Sequence, residues 1–307
     1  MGNVVETITF DSHGTRCEAW YLRASSETLT TSAGRPCVVM GHGFGATRDA
    51  GLLPFAERFA AAGTDVLVFD YRGFGTSEGS PRQDVNHAKH RQDYHAAVAA
   101  ARAREGVDPG RVAIWGSSYS GGHVVVVAAQ DPSIRAVVSQ GAAMDGLAAL
   151  FGVQKSGGTG KTTALTTAGL RDLGRALTGR PPYLVPIVGG PDSTAVISAP
   201  GAETGYQAIM GPTFRNEMCA RGILRIALNR PVTYADKVTC PTFIVVAEQD
   251  NIAPVASVHE VARKLGERLG NEVEVLSFDC GHFDIYVGEV FERSVAAQVE
   301  FLRRVLA

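Results

Sequence analysis

Ser118, Asp250 and His282 have the side-chain types that nucleophilic catalysis requires. Ser118 lies in Arg111-Val-Ala-Ile-Trp-Gly-Ser-Ser-Tyr-Ser-Gly-Gly122, an apolar run that passes into a helix start. A nucleophile on a strand-to-helix elbow sits in a sharp, strained turn, so the residues two before and two after must be small. Gly116 meets that demand fully and Ser120 nearly so. Ser117 is the rival, but it would leave Trp115 at the small position before it. The elbow would expose the hydroxyl at the carboxyl edge of a sheet, with the next amide and the helix N-terminus pointing at the reacting oxygen.

A serine hydroxyl needs a base within reach, and the base needs an acid to orient it and stabilise its charged form. Downstream of Ser118 stand two histidines, His259 and His282. His259 falls inside a helical stretch and reads as part of a solvated face. His282 sits in Asp279-Cys-Gly-His-Phe-Asp284, directly after the last apolar strand. For the acid, Val245-Val-Ala-Glu-Gln-Asp-Asn-Ile-Ala-Pro254 offers Asp250, with Glu248, Asp279 and Asp284 as rivals. Glu248 is too near the strand end. Asp284, two residues from His282, would need an awkward local bend.

These residues must be positioned by the elements around them. Val4–Phe10 and Arg16–Arg23 read as an antiparallel hairpin at a sheet edge, turning at Ser-His-Gly. Then strands alternate with helices: Cys37–Met40, Val66–Phe69, Val112–Trp115, Ala136–Ser139, Phe243–Val246 and Val273–Phe278 are short apolar runs. Between and after them come Leu52–Ala62, Asp84–Arg104, Tyr119–Gln130, Val255–Leu269 and Glu289–Leu306, which read as helices. That order predicts an α/β fold with a mostly parallel, doubly wound sheet covered on both faces. Between Gly141 and about Tyr234 the alternation stops. A stretch this long is too much for a loop in a compact domain, so it predicts an inserted lid or cap.

Composition bounds the rest. Hydrophobic residues make up 45% and charged residues 20%, with a net charge of -2, which implies neither nucleic acid nor anionic lipid as partner. No apolar run approaches the roughly 18 residues of a membrane span. The N-terminus lacks a basic start followed by an apolar stretch, so no secretory signal is expected, and Glu6 stands where a myristoylation signal wants Ser or Thr. The five cysteines form no CxxC pair, which suits a reduced, cytoplasmic setting.

With these segments in place, the chain resembles the α/β-hydrolase superfamily. Its elbow, Gly-x-Ser-x-Gly, is matched by Gly116 to Ser120, with Ser120 in place of the second glycine. Met40-Gly-His-Gly-Phe-Gly-Ala46 resembles the family's His-Gly-x-Gly loop. By that match the backbone N–H groups of Phe44 and Tyr119 would form the oxyanion hole, each worth roughly 3 kcal/mol of barrier. His42 reads as a turn organiser. Phe69-Asp-Tyr-Arg-Gly-Phe-Gly-Thr-Ser-Glu-Gly79 resembles a structural loop of the family, in which Asp70 and Arg72 pair or cap neighbouring backbone. The family's order of Ser, then acid, then His, and its acid loop, select Asp250 and His282.

The resemblance implies an α/β-hydrolase core at 1–141 and 235–307 and a cap at 142–234. It implies a serine hydrolase that cleaves a carboxylic ester or thioester of a small-molecule acyl substrate through an acyl-enzyme on Ser118, without cofactor or metal. Alternatives are an amide or peptide hydrolase, an acyltransferase or perhydrolase on the same triad, or a non-catalytic ligand-binding protein. Oligomeric state stays open, a homo-oligomer included. The Ser-Ser-Tyr-Ser elbow, the antiparallel start and the run Arg230 to Pro241 look most like the dienelactone-hydrolase-related and X-Pro-dipeptidyl-peptidase-related groups.

Other signals carry plainer readings. Gly157-Gly-Thr-Gly-Lys-Thr162 imitates a phosphate loop, but Lys155 stands where the first glycine belongs and no strand precedes it, so it reads as a flexible cap segment. His87, His90 and His95 read as a solvated helix face rather than a metal site. Cys280, two residues before His282, would be a small apolar packer or a thiol that makes activity sensitive to alkylation. Phe151, Tyr183, Tyr206 and Phe214 are candidate pocket lining or, the simpler reading, aromatics of the cap's own core.

Overall fold

The computed structural model describes residues 5–307. Val4, where the first strand is expected to start, and Met1 to Asn3, the first part of the N-terminal stretch read for targeting signals, lie outside them. β1 (Val5–Ser12) and β2 (Thr15–Leu22) pair antiparallel around a two-residue turn, in which His13 and Gly14 both have positive φ. That left-handed pair matches the twist of the strands it joins. β3 (Arg35–Gly41), β4 (Asp65–Phe69), β5 (Val107–Ser117) and β6 (Ala136–Gln140) follow. After a long excursion holding the two-residue strands β7 (Leu184–Val185) and β8 (Met218–Cys219) come β9 (Thr242–Ala247) and β10 (Val273–Phe278). One eight-stranded sheet results, in the order β1-β2-β4-β3-β5-β6-β9-β10. β2 runs antiparallel to both neighbours, and every other pairing is parallel.

Alternation along the strands divides the core. Val38, Met40, Val66, Val68, Ala113 and Trp115 face one side, where α1 (Leu53–Ala61) and the C-terminal helix pack. Val39, Leu67, Phe69, Val112 and Ile114 face the other, beneath α2 (His87–Arg102) and α3 (Tyr119–Gln130). Two-sided burial of successive residues is what makes these strands read as unbroken apolar runs. α2 starts where the Asn86 side chain accepts from the Ala88 and Lys89 amides.

The excursion contains α4 (Gly146–Leu177), α5 (Ala202–Ile209) and α6 (Ile223–Ile226). Asp145 caps α4, and Gly158, at φ 72°, breaks it into two helical runs. Residues 159–162 of the phosphate-loop imitation are helical. α7 (Val255–Leu269) and α8 (Gly288–Leu306) complete the order. Among the described residues, no helix is long and apolar enough to cross a membrane.

Candidate active site

Ser118 stands between β5 and α3 with φ 58° and ψ −120°, a conformation that a non-glycine residue adopts only under constraint. The constraint is local. A Cβ at Gly116 would lie 2.3 Å from the Ser120 carbonyl oxygen, so only glycine allows the turn. Ser120 takes its glycine-like place because its hydroxyl is absorbed. It bonds the Tyr94 hydroxyl at 2.6 Å and accepts from the Tyr71 hydroxyl at 3.2 Å. Gly41, where a Cβ would come within 2.5 Å of the Tyr94 oxygen, leaves the room for that ring. Ser117 is buried elsewhere, its Oγ 2.5 Å from the Tyr286 hydroxyl.

The parallel ladder brings the other two residues to the same sheet edge. The Ser118 amide donates to Gln140 O on β6, Gly141 N to Val245 O on β9, and Gln249 N to Cys280 O after β10. His282 Nδ1–H then donates to Asp250 Oδ2 at 2.5 Å, and Nε2 accepts from Ser118 Oγ at 3.1 Å. The second Asp250 oxygen accepts the Ile252 and Ala253 amides, both at 2.8 Å, which fixes its orientation. Both side chains are almost wholly buried.

The rival residues are engaged in other contacts. Glu248 meets His259 on the surface at 3.1 Å, Asp279 accepts from Gln249, and Asp284 accepts the Gly281 amide, shaping the histidine loop. Cys280 is partly buried, and its thiol is pushed up to about 11 by burial and then by neighbouring carboxylates. Little thiolate exists at neutral pH, which works against the alkylation sensitivity considered above.

The loop after β3 lies against the nucleophile: a Cβ at Gly43 would be 3.0 Å from Ser118 Cβ. Phe44 and Tyr119 meet edge to face at 5.2 Å and border the same cavity as Ser118. Tyr119 opens α3, so its N–H has no acceptor one turn back and lies at the positive end of the helix. Tyr206 donates its hydroxyl to Phe44 O at 2.9 Å and holds the loop from above. His42 Nδ1–H donates to Gly43 O at 3.1 Å, the turn-organising role expected of it. Asp70 and Arg72 do not pair with each other, but Asp70 caps neighbouring backbone as expected, accepting the Thr76 amide. Asp70 binds the Arg48 amide and guanidinium, whereas Arg72 pairs with Asp93 at 2.5 Å.

The cavity over Ser118 has a volume of about 120 Å³, and its apolar walls are Leu150, Leu165, Val196, Ile197, Ile223 and Ile226. The four aromatics considered as lining do not border it. Phe151 is 61% exposed, Tyr183 lies under the Arg171 guanidinium, and Tyr206 and Phe214 pack on each other.

One cluster near the site escapes the sequence reading. His90 is buried, stacked on Tyr71 at 4.1 Å, with His42 and His123 close by. Neither nitrogen of His90 or His123 has a hydrogen-bond partner among the described residues. The solvated-face reading therefore fails for His90. The missed signal is its place on the buried stripe with Tyr94, Ala97, Val98 and Ala101. His95 is half-buried, against Gln130. No group of three potential ligands that could hold a metal occurs among the described residues.

Burial pulls His42 down to about 4, and His90 and His123 well below their ordinary value of 6.5. These rings stay neutral when folded and take a proton when unfolded. Their contribution is therefore whole above pH 6.5 and is lost as pH falls from 6.5 towards 4. Urea midpoints measured from pH 7.5 to 4.5 should fall steeply. In His90→Phe, which keeps the stacking, the fall should be shallower by up to about 1.4 kcal/mol per pH unit. Parallel curves would contradict the assignment.

Residues 36–171 match the family described as the alpha/beta hydrolase fold. The chain is 37% identical to the quorum-quenching protein AidA of Acinetobacter baumannii, over 97% of this chain and 94% of that one. It is 27% identical to the thiohydrolase apmlB of Arthrinium phaeospermum, over 87% and 88% respectively. The crystal structure of the alpha/beta hydrolase GrgF from Penicillium sp. sh18 superposes with a TM-score of 0.80 at 22% identity, covering 99% of both chains. None of the three is named for a dienelactone hydrolase or a dipeptidyl peptidase.

Proposed function

The chain belongs to the α/β-hydrolase family, and from that premise we propose that it is a serine hydrolase cleaving carboxylic esters or thioesters through an acyl-enzyme on Ser118. The observation that carries this reading is the hydrogen-bonded line Asp250–His282–Ser118 opening onto an apolar cavity. His282 Nε2 takes the hydroxyl proton as Ser118 Oγ attacks the carbonyl carbon. The Phe44 and Tyr119 amides receive the developing oxyanion. His282 then returns the proton to the leaving alcohol or thiol, and water, deprotonated by the same nitrogen, releases the acid. Asp250 holds the tautomer that leaves Nε2 free to accept. The relative named as a thiohydrolase supports including thioesters.

Residues 142–234 act as the cap. α4, the segment at Val196–Ile197 and α6 supply the cavity wall opposite the elbow, so they set which acyl groups enter. Branched aliphatic walls suit an unbranched or lightly branched acyl chain of small to medium length.

The test is a series of p-nitrophenyl esters from acetate to laurate, beside thioesters followed by thiol release. Turnover with an optimum at intermediate length is expected. In Ile226→Phe the optimum should move to shorter chains, with kcat/KM falling about tenfold or more for each methylene that no longer fits. An unchanged length profile would remove the cap wall from specificity. No turnover of any ester or thioester would contradict the reading as a whole.

A further inference from the structure

A second hollow of about 290 Å³ adjoins the cavity over Ser118 and shares with it Ala149, Val196, Ile197 and Ile252 to Pro254. Its lining also includes the polar side chains of Lys161, Ser198 and Asn251. Asp250 also borders it, but that carboxylate is already engaged by His282 and two amides. Lys161 Nζ donates to Ser198 Oγ and to Ser193 O. Both are neutral oxygens, and among the described residues no carboxylate forms an ion pair with this ammonium. Partial burial lowers its basicity, opposed by the more distant Asp192. An ammonium partly removed from water with no carboxylate in direct contact can be completed by an anion, through a charge-assisted hydrogen bond.

Resting on the acyl-hydrolase reading, we propose that Lys161 recognises an anionic group, carboxylate or phosphate, carried by the substrate whose scissile carbonyl lies at Ser118. That group belongs either to the far end of the acyl chain or to the leaving group.

Two matched pairs separate these sources. Mono-p-nitrophenyl adipate against p-nitrophenyl hexanoate tests a carboxylate on the acyl chain. Hexanoyl-coenzyme A against the phosphate-free N-acetylcysteamine thioester tests a phosphate on the leaving group. In one arm the native chain should favour the anionic member by about tenfold in kcat/KM, carried by KM, and 1 M salt should shrink the preference. Lys161→Met should abolish that ratio and Lys161→Arg should keep most of it. Ratios near one in both arms would overturn the proposal. So would an equal loss on charged and neutral members in Lys161→Met, since that would make the lysine only a tether for Ser193 and Ser198. If no member of either pair is hydrolysed, the parent reading fails by itself. Calorimetric binding of adipate and of inorganic phosphate to the native chain and to Lys161→Met then decides the site. Binding lost in the variant supports it, and no binding by the native chain overturns it.

Discussion

Changing Ser118 to alanine should lower kcat for an activated ester by about a million-fold and leave the fold intact. The size follows from the geometry. Oγ is the atom that His282 Nε2 contacts at 3.1 Å, and no other hydroxyl near the elbow can replace it. Ser117 Oγ is turned to Tyr286, and Ser120 Oγ is held by Tyr94 and Tyr71. Because serine and histidine act as one unit, Ser118→Ala combined with His282→Ala should be scarcely worse than either alone. Residual turnover would come from the two backbone amides and the cavity, which the substitution does not touch. Kinetics on the single and double variants, with circular dichroism to establish folding, check this. Additive losses would mean that the two side chains do not share a step.

Asp250→Asn should lower kcat by about ten-thousand-fold with little change in KM. Here the reason is a tautomer. The Asp250 oxygen bonded to the Ile252 and Ala253 amides must remain an oxygen, because two N–H groups point at it. The amide nitrogen of the variant therefore falls opposite His282 Nδ1. That contact makes Nδ1 the acceptor and moves the ring proton to Nε2, where it blocks acceptance from Ser118. Asp279→Asn and Glu248→Gln, whose carboxylates contact Gln249 and His259, should stay within a few-fold of the native rate. A large loss in either, with Asp250→Asn active, would move the acid to the rival.

What was legible in the sequence was whatever a short motif and a strand end determine together. The elbow could be read because Gly116 is sterically required and the apolar run before it has to be a buried strand. His282 and Asp250 were singled out by the family resemblance, and they meet in the fold because each follows an apolar strand whose end the parallel ladder carries to one edge. The helix α4 was not legible. Gly146, Gly152, Gly158, Gly160, Gly169 and Gly174, with several threonines, lower its intrinsic propensity and hide the helical period. His90 was misread because polar neighbours on both sides hid its place on the buried stripe, and Arg72 because its partner Asp93 lies on a different element. The cavity walls were missed for a related reason. Aromatics suggested themselves by size, whereas the walls are aliphatics drawn from three separated segments, which no local pattern joins.

The most direct measurement is mass spectrometry of the intact chain after incubation with a fluorophosphonate, followed by peptide mapping. A phosphonate on the hydroxyl of Ser118 mimics the tetrahedral intermediate and forms only where a base and an oxyanion site converge. One adduct is expected, on Ser118, lost in Ser118→Ala and strongly slowed in Asp250→Asn. An adduct on Ser117 or on a residue away from the elbow, or none while ester turnover persists, would contradict that expectation.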